Sequence, residues 1–150
     1  MFQGESTINL DSKGRLAVPA RFRAQIAEHD GDRLVFTYSA ADEGCLWLYP
    51  LPEWERIRDE LGRLRGIDEA EDALKRRLVG CAEMTALDAA GRVLLPLSMR
   101  QRCALEGKVV MMGMVSRFEI WNAEVIAAKV ARDAELIRAR ATEAISRLRL

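Results

Sequence analysis

Two stretches of this chain, D11-S-K-G-R-L-A-V-P19 and D88-A-A-G-R-V-L-L-P96, are one text written twice. Their aspartates lie 88 − 11 = 77 residues apart, and Asp, Gly, Arg and Pro recur in register. The match runs on to Arg23 and Arg100, and apolar positions pair Leu16 with Val93, Val18 with Leu95 and Phe22 with Met99. It continues more loosely. L34-V-F36 answers to V109-V-M111, and L46-W-L-Y49 to F118-E-I-W121. The offset falls to 109 − 34 = 75 and then to 118 − 46 = 72, so the first copy has the longer loops, with D42-E-G44 in one of them.

Each copy reads as the same run of elements. A short strand (residues 6–10, or 84–87) leads into a D-x-x-G turn. Asp at the first position caps such a turn and Gly at the fourth relieves its backbone. An apolar strand follows (15–18, or 92–95). Proline ends it and suits the start of a helix, over 20–27 or 97–105. Two more strands close each copy, at 33–38 and 45–49, and at 108–114 and 117–121. A unit of about 45 residues is near the size below which one core rarely suffices. Two copies packed face to face bury both apolar sides, so the repeat predicts an intramolecular, pseudo-twofold pair.

Helical stretches follow each copy. Over 51–64, Trp54, Ile57, Leu61 and Leu64 share a face, with Pro52 at the start and Gly62 and Gly66 at the end. A second helix, 68–79, carries Ala70, Ala73, Leu74, Arg77 and Leu78. A third starts at Asn122, a good N-cap. It runs toward Leu150 with Ile126, Val130, Ile137, Ala141, Ile145 and Leu148 on one stripe. These stripes either cover the sheet or, on the last helix, join subunits.

The 150 residues suit one ordinary domain or two small units sharing a core. The composition is 49% hydrophobic and 31% charged, which fits a soluble protein. No apolar run approaches the roughly 18 residues of a membrane span, and no secretory leader is evident, which points to the cytoplasm. Cys45, Cys81 and Cys103 are odd in number and not spaced as C-x-x-C, so they read as buried apolar residues in a reducing compartment. The single histidine, His29, lies in the polar stretch E28-H-D-G-D32 and reads as a solvated loop residue. No metal site or cofactor is expected.

Formal charge is zero, with 23 basic and 23 acidic residues, which at first counts against a nucleic-acid partner. Yet 23 − 4 = 19 of the basic residues are arginine, the side chain fitted to bidentate contact with phosphate and guanine. Lys13, Arg15, Arg21 and Arg23 gather beside the first turn, and Arg92, Arg100 and Arg102 beside the second. A turn needs Asp and Gly but not Arg after the Gly, twice. In one reading Arg15 and Arg92 pair with Asp11 and Asp88, locally or across the pseudo-axis, and hold the turns. In the other the turns present arginines to a long regular anion such as DNA. Both hold if Asp orients Arg. An enzyme is disfavoured: there is no Gly-rich phosphate loop, and Asp11 and Asp88 could form a carboxylate pair only if the turns met.

Asp11-Ser-Lys-Gly-Arg15 with Pro19, Asp88-Ala-Ala-Gly-Arg92 with Pro96, and the opening Phe2-Gln-Gly-Glu-Ser resemble the MraZ family over essentially the whole chain. The resemblance implies an α+β fold of two tandem swapped-hairpin AbrB-like β-units forming a small pseudo-twofold barrel with flanking helices. It divides the chain into a first unit (1–51), a helical connector (52–81), a second unit (82–121) and a C-terminal helix (122–150). It implies a non-enzymatic transcriptional regulator, commonly a repressor, assembled as a ring-shaped homo-oligomer in the cytoplasm and associated with the nucleoid. Such proteins bind short tandem G-rich boxes in double-stranded promoter DNA upstream of the bacterial division and cell-wall genes. The expected DNA-binding residues are Asp11, Lys13, Arg15, Asp88 and Arg92, with Arg21, Arg23 and Arg100 as further basic contacts. No small-molecule substrate or membrane partner is implied. Ala89 and Ala90 stand where the first copy has Ser12 and Lys13, so the second loop is less basic. The competing readings are a non-catalytic assembly scaffold with structural arginines and a toxin-neutralising antidote, which would usually carry one unit and a disordered tail.

Overall fold

The computed structural model describes residues 1–29, 31–41, 44–140 and 142–150. Asp42 and Glu43 of the first-copy loop, Asp30 in the stretch around His29, and Ala141 on the last stripe lie outside the described residues. The first copy contributes β1 (Glu5–Asn9), β2 (Arg15–Ala17), α1 (Ala20–Ala27), β3 (Arg33–Tyr38) and β4 (Leu46–Pro50). Two helices follow, α2 (Leu51–Gly62) and α3 (Glu69–Leu78). The second copy repeats the order as β5 (Glu83–Ala86), β6 (Arg92–Leu94), α4 (Leu97–Arg102), β7 (Lys108–Met114) and β8 (Arg117–Asn122). Then come α5 (Ala123–Ala139) and the short α6 (Glu143–Ser146).

The strands trade partners between copies. β1 of the first copy pairs with β7 of the second, Ile8 opposite Val109, and β5 of the second pairs with β3 of the first, Thr85 opposite Leu34. The two registers are the same under the repeat. β2 pairs with β6 around a central Leu16–Val93 pair, and β4 with β8 around a central Trp47–Glu119 pair. Those two pairs mark where the pseudo-twofold axis crosses the molecule. The result is an antiparallel six-stranded sheet in the order β1-β7-β8-β4-β3-β5, plus a two-stranded ribbon of β2 and β6.

The strand pairing does not close the sheet into the expected small barrel. The six-stranded sheet ends at β1 and β5, and the ribbon is a separate sheet. The reason lies in the turns. After Asn9 two backbone bonds close the turn, Asp11 N–H to the Arg15 carbonyl and Gly14 N–H to the Asp11 carbonyl, and β2 then leaves to pair with β6. Asp88 N–H to the Arg92 carbonyl and Gly91 N–H to the Asp88 carbonyl do the same on the other side.

Alternation along the strands decides which face is buried. Leu16, Val18, Phe22 and Ile26 share one core with Val93, Leu95, Met99 and Cys103, closed by Leu34, Phe36, Leu46 and Leu48 and by Val109, Met111, Phe118 and Ile120. Both copies thus bury their apolar faces in one cluster. The opposite face of the sheet is covered in two patches. Trp54, Leu61 and Leu78 from α2 and α3 pack on Val35 and Tyr49, and Ile126 of α5 packs with Trp121 and Cys45. Thr37 fixes α3 by donating its hydroxyl to the Leu78 carbonyl at 2.6 Å.

Some sequence readings change. Ala70 and Ala73 face solvent, and α3 packs through Leu74 and Leu78. His29 is half-buried rather than solvated, its ring 5.0 Å from that of Phe2. The last helix does not run unbroken to Leu150. Residue 140 leaves helical geometry, and Thr142 starts α6 by capping the Ile145 N–H. On α5 only the first turn covers the sheet; Val130 and Ile137 are 51% and 59% exposed. No helix among the described residues is long and apolar enough to cross a membrane.

Candidate nucleic-acid interface

The two D-x-x-G-R turns have the same internal wiring. Asp11 Oδ1 accepts the backbone N–H of Lys13 at 3.0 Å and of Arg15 at 2.8 Å. Its Oδ2 accepts Nε of Arg15 at 2.6 Å. Asp88 Oδ1 accepts the N–H of Ala90 and of Arg92, both at 2.9 Å, and its Oδ2 accepts Nε of Arg92 at 3.0 Å. One carboxylate therefore builds the turn with one oxygen and aims an arginine with the other. These bonds favour the charged form of each Asp. Both carboxyls are held below their ordinary 3.8, first by the backbone N–H of Arg15 or Arg92 and then by its guanidinium.

The aimed arginines keep their tips. Nε is committed to Asp, and the terminal Nη1 and Nη2 of Arg15 and Arg92 have no hydrogen-bond partner among the described residues. Both side chains are about one-third exposed, at 32% and 36%. Strand alternation puts Leu16 and Val93 into the core, so Arg15, Ala17, Arg92 and Leu94 line the outer face of the ribbon. Arg15 stands opposite Leu94, and Arg92 opposite Ala17. The two arginines are thus diagonal neighbours across the axis, on one surface.

Gly14 and Gly91 complete the turns. Their φ angles of +81° and +74° lie in the left-handed region that an L side chain rarely adopts. Space is the second reason. A Cβ on Gly14 would collide with the guanidinium of Arg100, and one on Gly91 would come within 2.6 Å of Arg23 Nη1. Arg100 donates Nε to the Leu95 carbonyl at 3.0 Å.

The remaining residues expected at this surface are placed differently. Lys13 is fully on the exposed rim of the first turn, and its side chain has no partner among the described residues. Arg21 is not brought to either turn. Its guanidinium donates to the Glu5 carbonyl and to Ser6 Oγ, and packs against the Phe22 ring 4.7 Å away. Arg102 lies over the Tyr38 ring at 4.5 Å. Sequence reasoning did not single out Ala17 and Leu94 as surface neighbours of the arginines; period-two alternation through Leu16 and Val93 carried that signal. Among the described residues no group of His, Cys, Asp and Glu could hold a metal ion.

Comparison with known proteins agrees with this internal duplication. A family model described as "MraZ protein, putative antitoxin-like" matches twice, over residues 1–77 and 78–148. A protein of Xylella fastidiosa (strain Temecula1) named "Transcriptional regulator MraZ" is 46% identical over 122 residues, covering 81% of this chain and 82% of that protein. One of the same name from Xanthomonas campestris pv. campestris (strain 8004) is 43% identical over the same shares. Another, from Idiomarina loihiensis, is 41% identical over 138 residues, covering 92% of this chain and 90% of that protein.

Proposed function

The chain belongs to the MraZ family, and from that premise we propose that it is a sequence-specific DNA-binding transcriptional regulator and not an enzyme. One observation carries the reading. Two Asp-oriented arginines share the outer face of a two-stranded antiparallel ribbon, with their Nη ends unpaired. A two-stranded ribbon is one of the shapes the DNA major groove admits, and an arginine tip is the commonest partner of guanine O6 and N7. Fixing Nε by a carboxylate removes rotamer freedom before binding, so less is lost when contact forms.

In this reading Arg15 and Arg92 read base edges, while Asp11 and Asp88 orient them. Lys13, Arg23 and Arg100 contact phosphates, which fixes register and makes affinity salt-dependent. Arg21 contributes through the stability of β1. The target is a set of tandem short G-rich boxes upstream of the division and cell-wall genes, and the net effect is repression. A protein of zero formal charge has little sequence-independent affinity for DNA, so several copies must act together. A ring-shaped homo-oligomer meets that need by raising effective concentration at neighbouring boxes. The exposed apolar Val130 and Ile137 of α5 support self-association. Action on DNA places the protein in the cytoplasm, at the nucleoid.

The Asp–Arg brackets also favour a second reading, a non-catalytic scaffold whose arginines only brace the turns. Fluorescence anisotropy on the DNA upstream of its own gene, beside a shuffled duplex of the same composition, separates the two. Preference for the native duplex is the expected result; equal binding to both, or none, favours the scaffold.

A further inference from the structure

We infer that each DNA-reading turn is completed by a phosphate-contacting arginine of the other copy: Arg100 joins the Asp11 turn, and Arg23 the Asp88 turn. This rests on the DNA-binding reading above. It differs from what the linear order suggests, because Arg23 and Arg100 each stand twelve residues after the aspartate of their own copy (23 − 11 and 100 − 88).

The crossing follows from the ribbon. β2 and β6 run antiparallel, so the end of β2 lies beside the start of β6. Val18 N–H donates to the Gly91 carbonyl and Leu95 N–H to the Gly14 carbonyl, both at 3.0 Å. Those bonds carry the start of α1 to the second turn and the start of α4 to the first. The arginine in the first turn of each helix then lands on the glycine of the opposite copy. Only a residue without a Cβ leaves room for it there.

The chemistry of the seat points to an anion. Both oxygens of Asp11 are taken by the turn and by Arg15. Arg100 has its Nε on the Leu95 carbonyl, and its Nη atoms have no acceptor among the described residues. Asp11, Lys13, Arg15 and Arg100 together sum to −1 + 3 = +2. The mirror set of Asp88, Arg92 and Arg23 sums to −1 + 2 = +1. Glu106 and Glu124 line the same depression, but among the described residues neither is bonded to Arg100, whose free N–H groups are satisfied when phosphate oxygens arrive. A packing plug over glycine would not need a guanidinium on both sides of the axis.

The test uses the full chain in anisotropy on labelled native and shuffled duplexes across a salt series. Arg100→Ala should weaken native-duplex binding by about tenfold and lower the slope of log affinity against log salt by about one. Arg100→Lys should keep the slope. Arg100→Ala and Arg15→Ala combined should cost less than the product of their separate effects, because they serve one turn. Arg100→Ala with Arg92→Ala should multiply. Arg23→Ala should show the reverse partnership, sub-multiplicative with Arg92→Ala. An unchanged salt slope, or coupling of Arg100 to Arg92 rather than to Arg15, overturns the inference while the DNA reading stands. No preference of the wild-type chain for the native duplex overturns both. If circular dichroism shows Arg100→Ala unfolded, Arg100→Gln replaces it under the same criteria; if that also unfolds, Arg100 is a structural plug and the inference fails.

Discussion

The Asp11 turn and the Asp88 turn have the same carboxylate wiring and differ in what surrounds it. The first is ringed by Lys13, Arg15 and Arg100, the second by Arg92 and Arg23 with Ala90 in place of the lysine. The Arg15–Asp11 contact is the tighter, 2.6 Å against 3.0 Å. Arg100 is anchored by its Nε, whereas Arg23 is exposed. Across the ribbon, Arg15 faces the bulky Leu94 and Arg92 only Ala17. A duplicated scaffold with unequal decoration is what results when backbone geometry demands Asp and Gly on both sides but surface chemistry is free to diverge. If the turns bind DNA as proposed, the first should make the stronger contact.

The largest effect expected from breaking this comparison is at the arginines. A good bidentate base contact is worth about 1–3 kcal/mol. Arg15→Ala should therefore weaken binding to the native duplex by roughly 5- to 150-fold. Arg92→Ala should cost less, at the lower end of that range. Anisotropy titrations of the two variants at one salt concentration check the order.

The glycines test the seats below the arginines. Gly14→Ala forces an L side chain into the left-handed region, at about 1–2 kcal/mol, and must also displace the anchored Arg100. Gly91→Ala pays the same backbone cost but meets an exposed arginine that can move aside. Thermal melts followed by circular dichroism should show the larger fall for Gly14→Ala, by a few degrees for each kcal/mol.

A smaller effect tests the lysine. Ala90→Lys should make the second turn resemble the first and raise affinity a few-fold, steepening the salt slope by about one. Lys13→Ala should do the opposite. If neither slope changes, the charge difference between the turns has no part in binding.

The smallest effect is expected from pH. Asp11 and Asp88 have carboxyls lowered from 3.8, so each stabilises the folded turn fully above that value and loses the contribution as pH falls through its lower folded value. Stability from the turns should be flat from about pH 5 to 8 and decline only in acid. Nitrogen-detected NMR of the Arg15 and Arg92 Nε–H groups reads this directly, with Asp11→Asn and Asp88→Asn as controls.

Much of this was legible in the sequence because turns and caps are local. Asp, Gly and Arg at fixed offsets predicted both turns and made the Asp–Arg brackets one of two readings, and Asn122, whose Oδ1 accepts the N–H groups of Glu124 and Val125, predicted the start of α5. Helical spacing found the Trp54–Leu61 face for the same reason. What depends on distant partners was not legible. Nothing local to Arg100 says that it will sit on Gly14, 100 − 14 = 86 residues away, because that follows from β2 pairing with β6. The open sheet depends likewise on β2 leaving β1 after the turn to pair with β6. The break before α6 was masked by an apolar stripe that continues through it, although Thr142 followed by Glu143 is itself a helix-start signal. Arg21 looked like a member of the basic cluster, but α1 turns it toward β1.

The most direct measurement of the central claim is side-by-side anisotropy of wild type, Arg15→Ala and Arg92→Ala on native and shuffled upstream duplexes, with circular dichroism confirming the fold of each. Wild type should prefer the native duplex, both variants should lose that preference while remaining folded, and Arg15→Ala should lose more. Folded variants that bind as wild type does, or a wild type that does not distinguish the two duplexes, would contradict it and leave the arginines as braces of their turns.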